Sequence, residues 1–393
     1  MKILVLYGGV STEHEVAIVT ALQVMSVLIE AGYEVLPGYI SKKGEWYLGD
    51  ERFLAPETYR SLDWVAQIGK KSLVTPSKNK QLVSENWLGY RNNNTQIDVV
   101  FPVFHGKNGE DGAIQGLLNL MNLPYVGCQL IASAAGMDKY ISKQVARGVG
   151  LRVARDVLID KSRWGDLKKE YLGSIKKLGL PLFIKPATLG STIGITRVDK
   201  WQELENAIEV GLAYDQRVLV EEGIEDPTEI NISILGNNPY EVSATEEPVR
   251  KGGVLSFADK YLGNGGKTGT KSQGMASADR YIPARVDKKI IEEVEESAKM
   301  FFGAIGGKGI ARIDFMLDKS SKLYFNEINT MPGSLSFYLW EKSNLKFKDL
   351  VDKLVKLALD DYHKKQKLVT TFESNILAGY INGGTKGAKT KKT

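Results

Sequence analysis

The chain has 393 residues, with 52 Lys plus Arg against 47 Asp plus Glu, one cysteine, three histidines and a formal net charge of +5. That length provides for two or three domains with cores of their own, while a lone Cys128 permits no intramolecular disulfide and leaves too little material for a Cys/His zinc site. No apolar run approaches the ~18–20 residues of a membrane span, the short apolar start is not a signal peptide, and four of the five net charges fall on tail residues Lys386, Lys389, Lys391 and Lys392. The basic balance therefore does not point to nucleic acid, and the cytosol is the expected compartment.

Residues 3–7 form a continuous apolar run closed by Gly8-Gly9, and the spacing of Val16, Val19, Leu22, Val27 and Leu28 predicts a helix ending at Gly32. This strand, glycine turn and helix open an α/β unit, which strands at Glu34–Ile40 and Ile97–Phe104 continue. Between them, residues 45–95 are polar and irregular and read as an insertion with some local structure. One long helix is expected over Leu130–Arg147. A strand at Leu182–Lys185, the loop Gly190-Ser191-Thr192-Ile193-Gly194, a strand at Val218–Glu222 and the alternating Glu229–Ile234, apolar on one face only, describe a second, α+β region. Residues 251–280 carry seven glycines and few large aliphatics, the pattern of a functional lid or of a disordered stretch. A helix at Lys288–Phe302, two strands around 310–328 and a helix at Phe347–Lys364 complete the pattern. The expected divisions are 1–127, 128–224 and 225–366, with a basic tail at 367–393.

Ile310-Ala311-Arg312-Ile313-Asp314-Phe315 and Phe325-Asn326-Glu327-Ile328-Asn329 flank a polar turn and predict a hairpin. A turn centred between Ser320 and Ser321 sets Asp314 opposite Glu327 and Arg312 opposite Asn329, because strand side chains alternate faces. Facing carboxylates repel unless a cation lies between them. Asp, Glu and Asn oxygens suit Mg²⁺ held jointly with substrate phosphates. A solvated outer face, with Arg312 pairing both acids, fits the same pattern; Pro332-Gly333 just beyond, which exposes backbone N–H groups, favours a site. Lys185-Pro186 followed by Gly190-Ser191 fits a phosphate cradle, and equally a plain glycine turn. The loop His105–Gly112 lies at the carboxyl end of a strand, where ligands gather in open α/β sheets, and it also fits a turn into a helix whose dipole favours Glu110 and Asp111. Thr12 and Glu15 have capping-box spacing.

Taken in order, these segments resemble the D-alanyl-D-alanine ligases of the ATP-grasp superfamily over roughly residues 2–365. The resemblance rests on Gly8-Gly9 with Ser11-Thr12-Glu13-His14-Glu15-Val16; His105-Gly106 with Gly109-Glu110-Asp111-Gly112 and Gln115-Gly116; Met137-Asp138-Lys139; Lys185-Pro186 with Gly190-Ser191; and Arg312-Ile313-Asp314-Phe315 with Asn326-Glu327-Ile328-Asn329-Thr330. It implies a three-domain ATP-grasp architecture, α/β and α+β, with an N-terminal open parallel α/β domain. It further implies an enzyme that uses ATP and two Mg²⁺ ions, with Mn²⁺ as a substitute, to join two D-alanines through an acyl phosphate for peptidoglycan precursor synthesis. A cytoplasmic homodimer with no nucleic-acid or membrane partner follows from the same resemblance.

By that resemblance, Lys139, Lys185 and Lys260 would hold nucleotide phosphates, with Glu110 also assigned to the nucleotide site, Glu221 to adenine and Glu229 to ribose. Asp314, Glu327 and Asn329 would bind the metals, Arg312 and the Gly333 N–H the oxyanion, and Glu15 the ammonium of the first D-alanine. Phe257-Ala258-Asp259-Lys260-Tyr261 resembles the family's mobile loop. Its Tyr261 would bond toward Glu15 and Ser191, and its closure would keep water from the acyl phosphate. Tyr261 also favours an amine acceptor. His105 would orient substrate or loop. Tyr338 stands where these ligases usually place a serine for the second substrate's carboxylate; its phenol moves the donor outward, and Ser336 is the substitute donor. An acceptor such as D-lactate, D-serine or another amino acid is therefore the alternative. Cys128 reads as a small buried residue, His363 as surface and His14 as facing solvent.

Overall fold

The structure is a computed structural model that describes residues 1–74, 81–86, 89–190, 193–249 and 280–374. Ser191, residues 251–279 of the expected lid with Lys260 and Tyr261, and the tail beyond residue 374 lie outside the described residues.

Seven strands make the first sheet: β1 (Lys2–Gly8), β2 (Glu34–Ile40), β3 (Trp46–Leu48), β4 (Lys70–Val74), β5 (Gln81–Asn86), β6 (Gly89–Gln96) and β7 (Val99–Val103). Their order is β6-β5-β4-β3-β2-β1-β7, with β1 parallel to both β2 and β7. The apolar run of β1 has no polar face because both faces are covered. Ile3, Val5 and Tyr7 pack toward α1 (His14–Glu30), and Leu4 and Leu6 toward Ile114 and Leu118 of a later helix. The expected parallel start is present. The expected insertion with some local structure is more regular than its polar sequence suggests: residues 45–95 supply β3 to β6 and α2 (Leu62–Ile68), an antiparallel extension of the sheet. Backbone ladders hold such an edge, and a polar sequence does not report them.

The expected single helix is two. After α3 (Ala113–Leu120), α4 (Leu130–Met137) and α5 (Lys139–Gly148) break at Asp138, where the backbone leaves helical geometry. The Asp138 carboxylate accepts the N–H groups of Tyr140 and Ile141, both at 3.0 Å, and so caps α5. Apolar spacing runs through this break, which is why periodicity misses it. The break sets Lys139 at the start of α5.

The second sheet contains β8 (Asp156–Asp160), β9 (Leu182–Pro186), β10 (Thr196–Val198) and β11 (Arg217–Glu222), antiparallel in the order β10-β9-β11-β8. Past the short α6 (Lys161–Trp164), α7 (Lys168–Lys176) and α8 (Leu204–Tyr214) close a core around Ile159, Ile184 and Val218. The third sheet joins β12 (Thr228–Gly236), β13 (Tyr240–Val242) and, past the small pair β14 (Glu247–Pro248) and β15 (Arg280–Tyr281), β16 (Ile310–Leu317) and β17 (Leu323–Asn329), in the order β13-β12-β16-β17. α9 (Lys288–Ala304) covers one face through Val294, Phe301 and Phe302. The other face of β12 is buried too, contrary to the one-sided pattern expected. Ser233 Oγ accepts the Trp340 indole N–H at 2.9 Å, and Asn231 donates to Glu246 at 3.0 Å. Polar side chains satisfied inside the protein read as solvent-facing in sequence. Trp340 lies on α10 (Phe337–Lys342), and α11 (Phe347–Gln366) returns to pack on the first-sheet core. Among the described residues, no helix is long and apolar enough to cross a membrane.

Candidate active site

The β16–β17 hairpin pairs Arg312 with Asn329 and Asp314 with Glu327, as expected. Beyond Asp314 the register slips, so that Phe315 faces Phe325 and Asn326 is the extra residue of a bulge. The bulge keeps the polar pairing although the turn sits half a residue from its expected centre. Arg312 is buried and forks onto Asp314, with Nε and one terminal nitrogen each 2.7 Å from a carboxylate oxygen. Asn329 donates to the same carboxylate at 3.2 Å. Burial alone would lower the Arg312 pKa, but Asp314, with Tyr338 and Glu246 farther off, holds it well above the ordinary value. This patch is inside the protein rather than on a solvated outer face.

Two lysines meet the other end of the hairpin. Lys139 Nζ donates to the Leu189 carbonyl at 2.6 Å and lies 3.4 Å from Glu327. Lys185, at the end of β9, bonds Glu221 at 2.7 Å and reaches Asn326 at 3.5 Å. Burial opposes the Lys185 charge, yet Glu221, Glu327 and Glu229 together raise its pKa. Burial likewise opposes the Glu221 charge, and Lys143 and Lys185 nonetheless hold its carboxyl at about 2. Among the described residues, no three His, Cys, Asp or Glu side chains form a metal cluster by themselves. The donor set here is two facing carboxylates and one amide oxygen, which fits Mg²⁺ completed by substrate phosphate oxygens.

The loops after the parallel strands β1 and β7 leave the same edge of their sheet, and one carboxylate from the first reaches the cleft. That residue is Glu13, which lines a cavity with His105, Glu110, Lys139, Arg312 and Gly333. A Cβ on Gly106 would meet Glu13 Oε2 and Ser11 Oγ, each at 2.8 Å, and its φ of 75° favours glycine at this close approach. Glu15 is elsewhere. It lies one position into the exposed side of α1, with its side chain 62% accessible and paired with Lys42 at 2.5 Å. The expected ammonium ligand Glu15 therefore lies away from the cleft that Glu13 lines, and the capping box is absent because α1 starts at His14 with no side-chain cap. Both acids sit in one short motif, so only the helix start separates them.

Glu110, expected in the nucleotide site, accepts the N–H groups of Gly106 at 2.8 Å and Met331 at 3.0 Å with its two oxygens, which ties the two loops together. His105 is buried with Nε2 3.1 Å from Thr20 Oγ1. Gly333 opens a turn in which Ser334, Leu335 and Ser336 take φ of 51°, 53° and 50°. Three successive non-glycine residues in this region each store about 1 kcal/mol, and such strain collects at functional sites. Ser336 Oγ is buried with no hydrogen-bond partner among the described residues. Tyr338 points its hydroxyl at Glu246, 3.3 Å away, under the Arg280 guanidinium. Glu229 is half-buried, with its charge facing Lys185. His14 does not face solvent: it is buried and bonds the Gly9 carbonyl at 2.7 Å and Tyr39 at 3.1 Å. Cys128 is buried with its thiol pushed up to about 12 by desolvation, and His363 is exposed.

Sequence models of the D-ala D-ala ligase N-terminus and C-terminus match residues 2–128 and 145–356. The D-alanine–D-alanine ligase of Bacillus velezensis is 38% identical over 372 residues, 93% of this chain and all of that one. The enzyme of the same name from Thermosipho melanesiensis is 36% identical over 379 residues, 96% of this chain and 98% of that one. The chain belongs to the D-alanine–D-alanine ligase family. The D-alanine–D-alanine ligase of Coxiella burnetii superposes with a TM-score of 0.77 at 28% identity, over 98% of this chain and 99% of that one. The VanG D-Ala:D-Ser ligase of Enterococcus faecalis superposes at 0.74 and 31% identity, over 91% and 99%. The fold is accordingly ATP-grasp, and the ligase uses ATP with Mg²⁺.

Two buried groups of this ligase give it an opposed pH dependence. Desolvation lowers the His105 pKa to about 4 from 6.5, so unfolding takes up a proton in that window and this part of the stability is lost as pH falls from 6.5 toward 4. Desolvation and the nearby Glu13 raise Glu110 to about 8 from 4.5, so its part is full below 4.5 and lost as pH rises through 8. Above pH 6.5 Glu110 acts without His105. Wild type is expected to lose melting temperature from pH 6.5 to 8.5, and Glu110→Gln, which cannot ionise, to lose less; equal losses in calorimetry would refute the assignment.

Proposed function

We propose that the chain joins two D-alanines at the expense of ATP, supplying the dipeptide for peptidoglycan precursor synthesis. The observation that carries this reading is the buried Arg312 fork on Asp314, set in one cleft with Glu327, Asn329, Lys139 and Glu13. The first D-alanine carboxylate attacks the γ-phosphorus, ADP leaves, and an acyl phosphate forms. The deprotonated amine of the second D-alanine then adds to the carbonyl carbon, and the tetrahedral intermediate expels phosphate.

Each step sets demands that these residues meet. Attack of one anion on another needs positive charge around the transferring group, which Lys139 and Lys185 supply. Asp314, Glu327 and Asn329 would hold two Mg²⁺ ions, which when bound neutralise phosphate oxygens. Glu221 and Glu229 would take adenine and ribose. Arg312 and the Gly333 N–H stabilise the oxyanion, and Glu13 holds the ammonium of the first D-alanine, with His105 fixing the loop beside it. The resemblance assigns closure of the cleft to Ser191, Lys260 and Tyr261. We read the chain as three domains at 1–127, 128–224 and 225–366, acting in the cytoplasm as a homodimer.

Phosphate release from ATP and Mg²⁺ with D-alanine as sole amino acid tests the reading. Release in step with dipeptide is expected, with D-serine and D-lactate competing poorly. Release with another amino-acid pair and none with D-alanine would overturn it.

A further inference from the structure

One face of α5 carries Lys139, Lys143 and Arg147, four residues apart, so that three cations form a stripe along it. Lys139 meets Glu327 at the cleft, and Arg147 pairs with Asp156 at the far end. Lys143 lies between them. It is 1% exposed, and its Nζ is 2.8 Å from Glu221 and 3.4 Å from Asp156. Glu221 and Asp156 are themselves directly opposite each other across β11 and β8, a pairing of like charges that is unfavourable without a cation between them.

We propose that Lys143 is a positioning residue for nucleotide binding: by occupying one oxygen of Glu221, it leaves the positive charge of Lys185 available to the phosphates. The inference rests on the reading of Lys185 as a phosphate ligand. The two oxygens of Glu221 are shared, Oε1 with Lys143 and Oε2 with Lys185. With Arg147 and Asp156 included, the cluster carries one net positive charge, and Lys185 is its member nearest the hairpin, 3.5 Å from Asn326. Remove Lys143 and two closed pairs remain, Arg147 with Asp156 and Lys185 with Glu221. Lys185 then has to leave a buried, otherwise unpaired carboxylate in order to meet a phosphate, which is costly. Lys143 is tied to the cleft through Glu221 and Lys185, so it acts on the nucleotide and not on the amino acids.

The test is calorimetric titration of the full chain with MgADP. Lys143→Met is expected to weaken binding about tenfold or more, the scale of one lost charge-assisted contact. Lys143→Arg, which keeps the cation, is expected to stay within about threefold of wild type by the same reasoning. In turnover assays the KM for ATP should rise in Lys143→Met while the KM for D-alanine holds. If Lys143→Met does not fold, Lys143→Met with Asp156→Asn retires the second carboxylate that Lys143 serves and carries the same expectation. A folded Met variant that binds MgADP within threefold of wild type would overturn the inference and leave the ligase reading intact. A wild-type chain that fails to bind MgADP would overturn the phosphate-site reading, and the inference with it.

Discussion

Arg312→Ala is expected to lower kcat for dipeptide formation by about 10³, the scale on which losing one preorganised oxyanion donor is felt, while MgADP affinity changes little. The guanidinium is buried and held by two bonds of 2.7 Å to Asp314, so it reaches the transition state without reorganising. Removing it also leaves Asp314 without its cation, which is expected to cost about 3 kcal/mol of stability and to show as a lower melting temperature. Arg312→Lys separates the two effects. A lysine keeps the charge but not the planar fork, so the fold recovers further than the activity. Stopped-time assays of dipeptide beside calorimetric MgADP binding make the comparison; unchanged kcat in a folded Arg312→Ala chain would remove Arg312 from the chemistry.

The second large effect separates two neighbouring acids. Glu13→Gln is expected to raise the KM for D-alanine about 100-fold, because a buried charge-assisted bond to an ammonium is lost and the neighbouring Glu110 already commits both oxygens to backbone N–H groups. Glu13 is 5% exposed, and its carboxylate sits against Gly106 and, 3.3 Å from the position of a Cβ, Gly190. Glu15→Gln is expected to change the same constant less than about twofold, since an exposed pair such as Glu15 with Lys42 contributes at most about 1 kcal/mol to the fold. Initial rates against D-alanine concentration for both variants decide between them. A large effect at Glu15 with none at Glu13 would reverse the assignment.

These two acids also show where sequence reasoning runs short. The alternation of Arg312, Asp314, Glu327 and Asn329 was enough to put four polar groups on one hairpin face, because strand faces have a period of two and a one-residue bulge absorbed the error in the turn. Strand β1 was legible for a similar reason, since burial on both faces leaves an unbroken apolar run. Glu13 was missed because its motif also spells a capping box, and only the start of α1 at His14 tells which acid turns inward. Lys143 was missed because apolar periodicity is blind to a stripe of cations inside a helix interface. Between 45 and 95 some local structure is legible, but not its pairing into strands, because backbone ladders and not side-chain pattern make them. Asp138 was quoted within a motif, but its role in ending one helix and starting the next depends on a carboxylate bond that no spacing rule reveals.

The most direct measurement of the central claim follows an oxygen atom. D-alanine labelled with ¹⁸O in both carboxylate positions is incubated with ATP, Mg²⁺ and the enzyme, and the released phosphate is examined by mass spectrometry. Attack by the carboxylate on the γ-phosphorus and expulsion of phosphate from the tetrahedral intermediate predict one ¹⁸O in the phosphate for every dipeptide made. Phosphate free of label alongside dipeptide would contradict the acyl-phosphate route, and with it the roles given to Arg312, Lys185 and the hairpin.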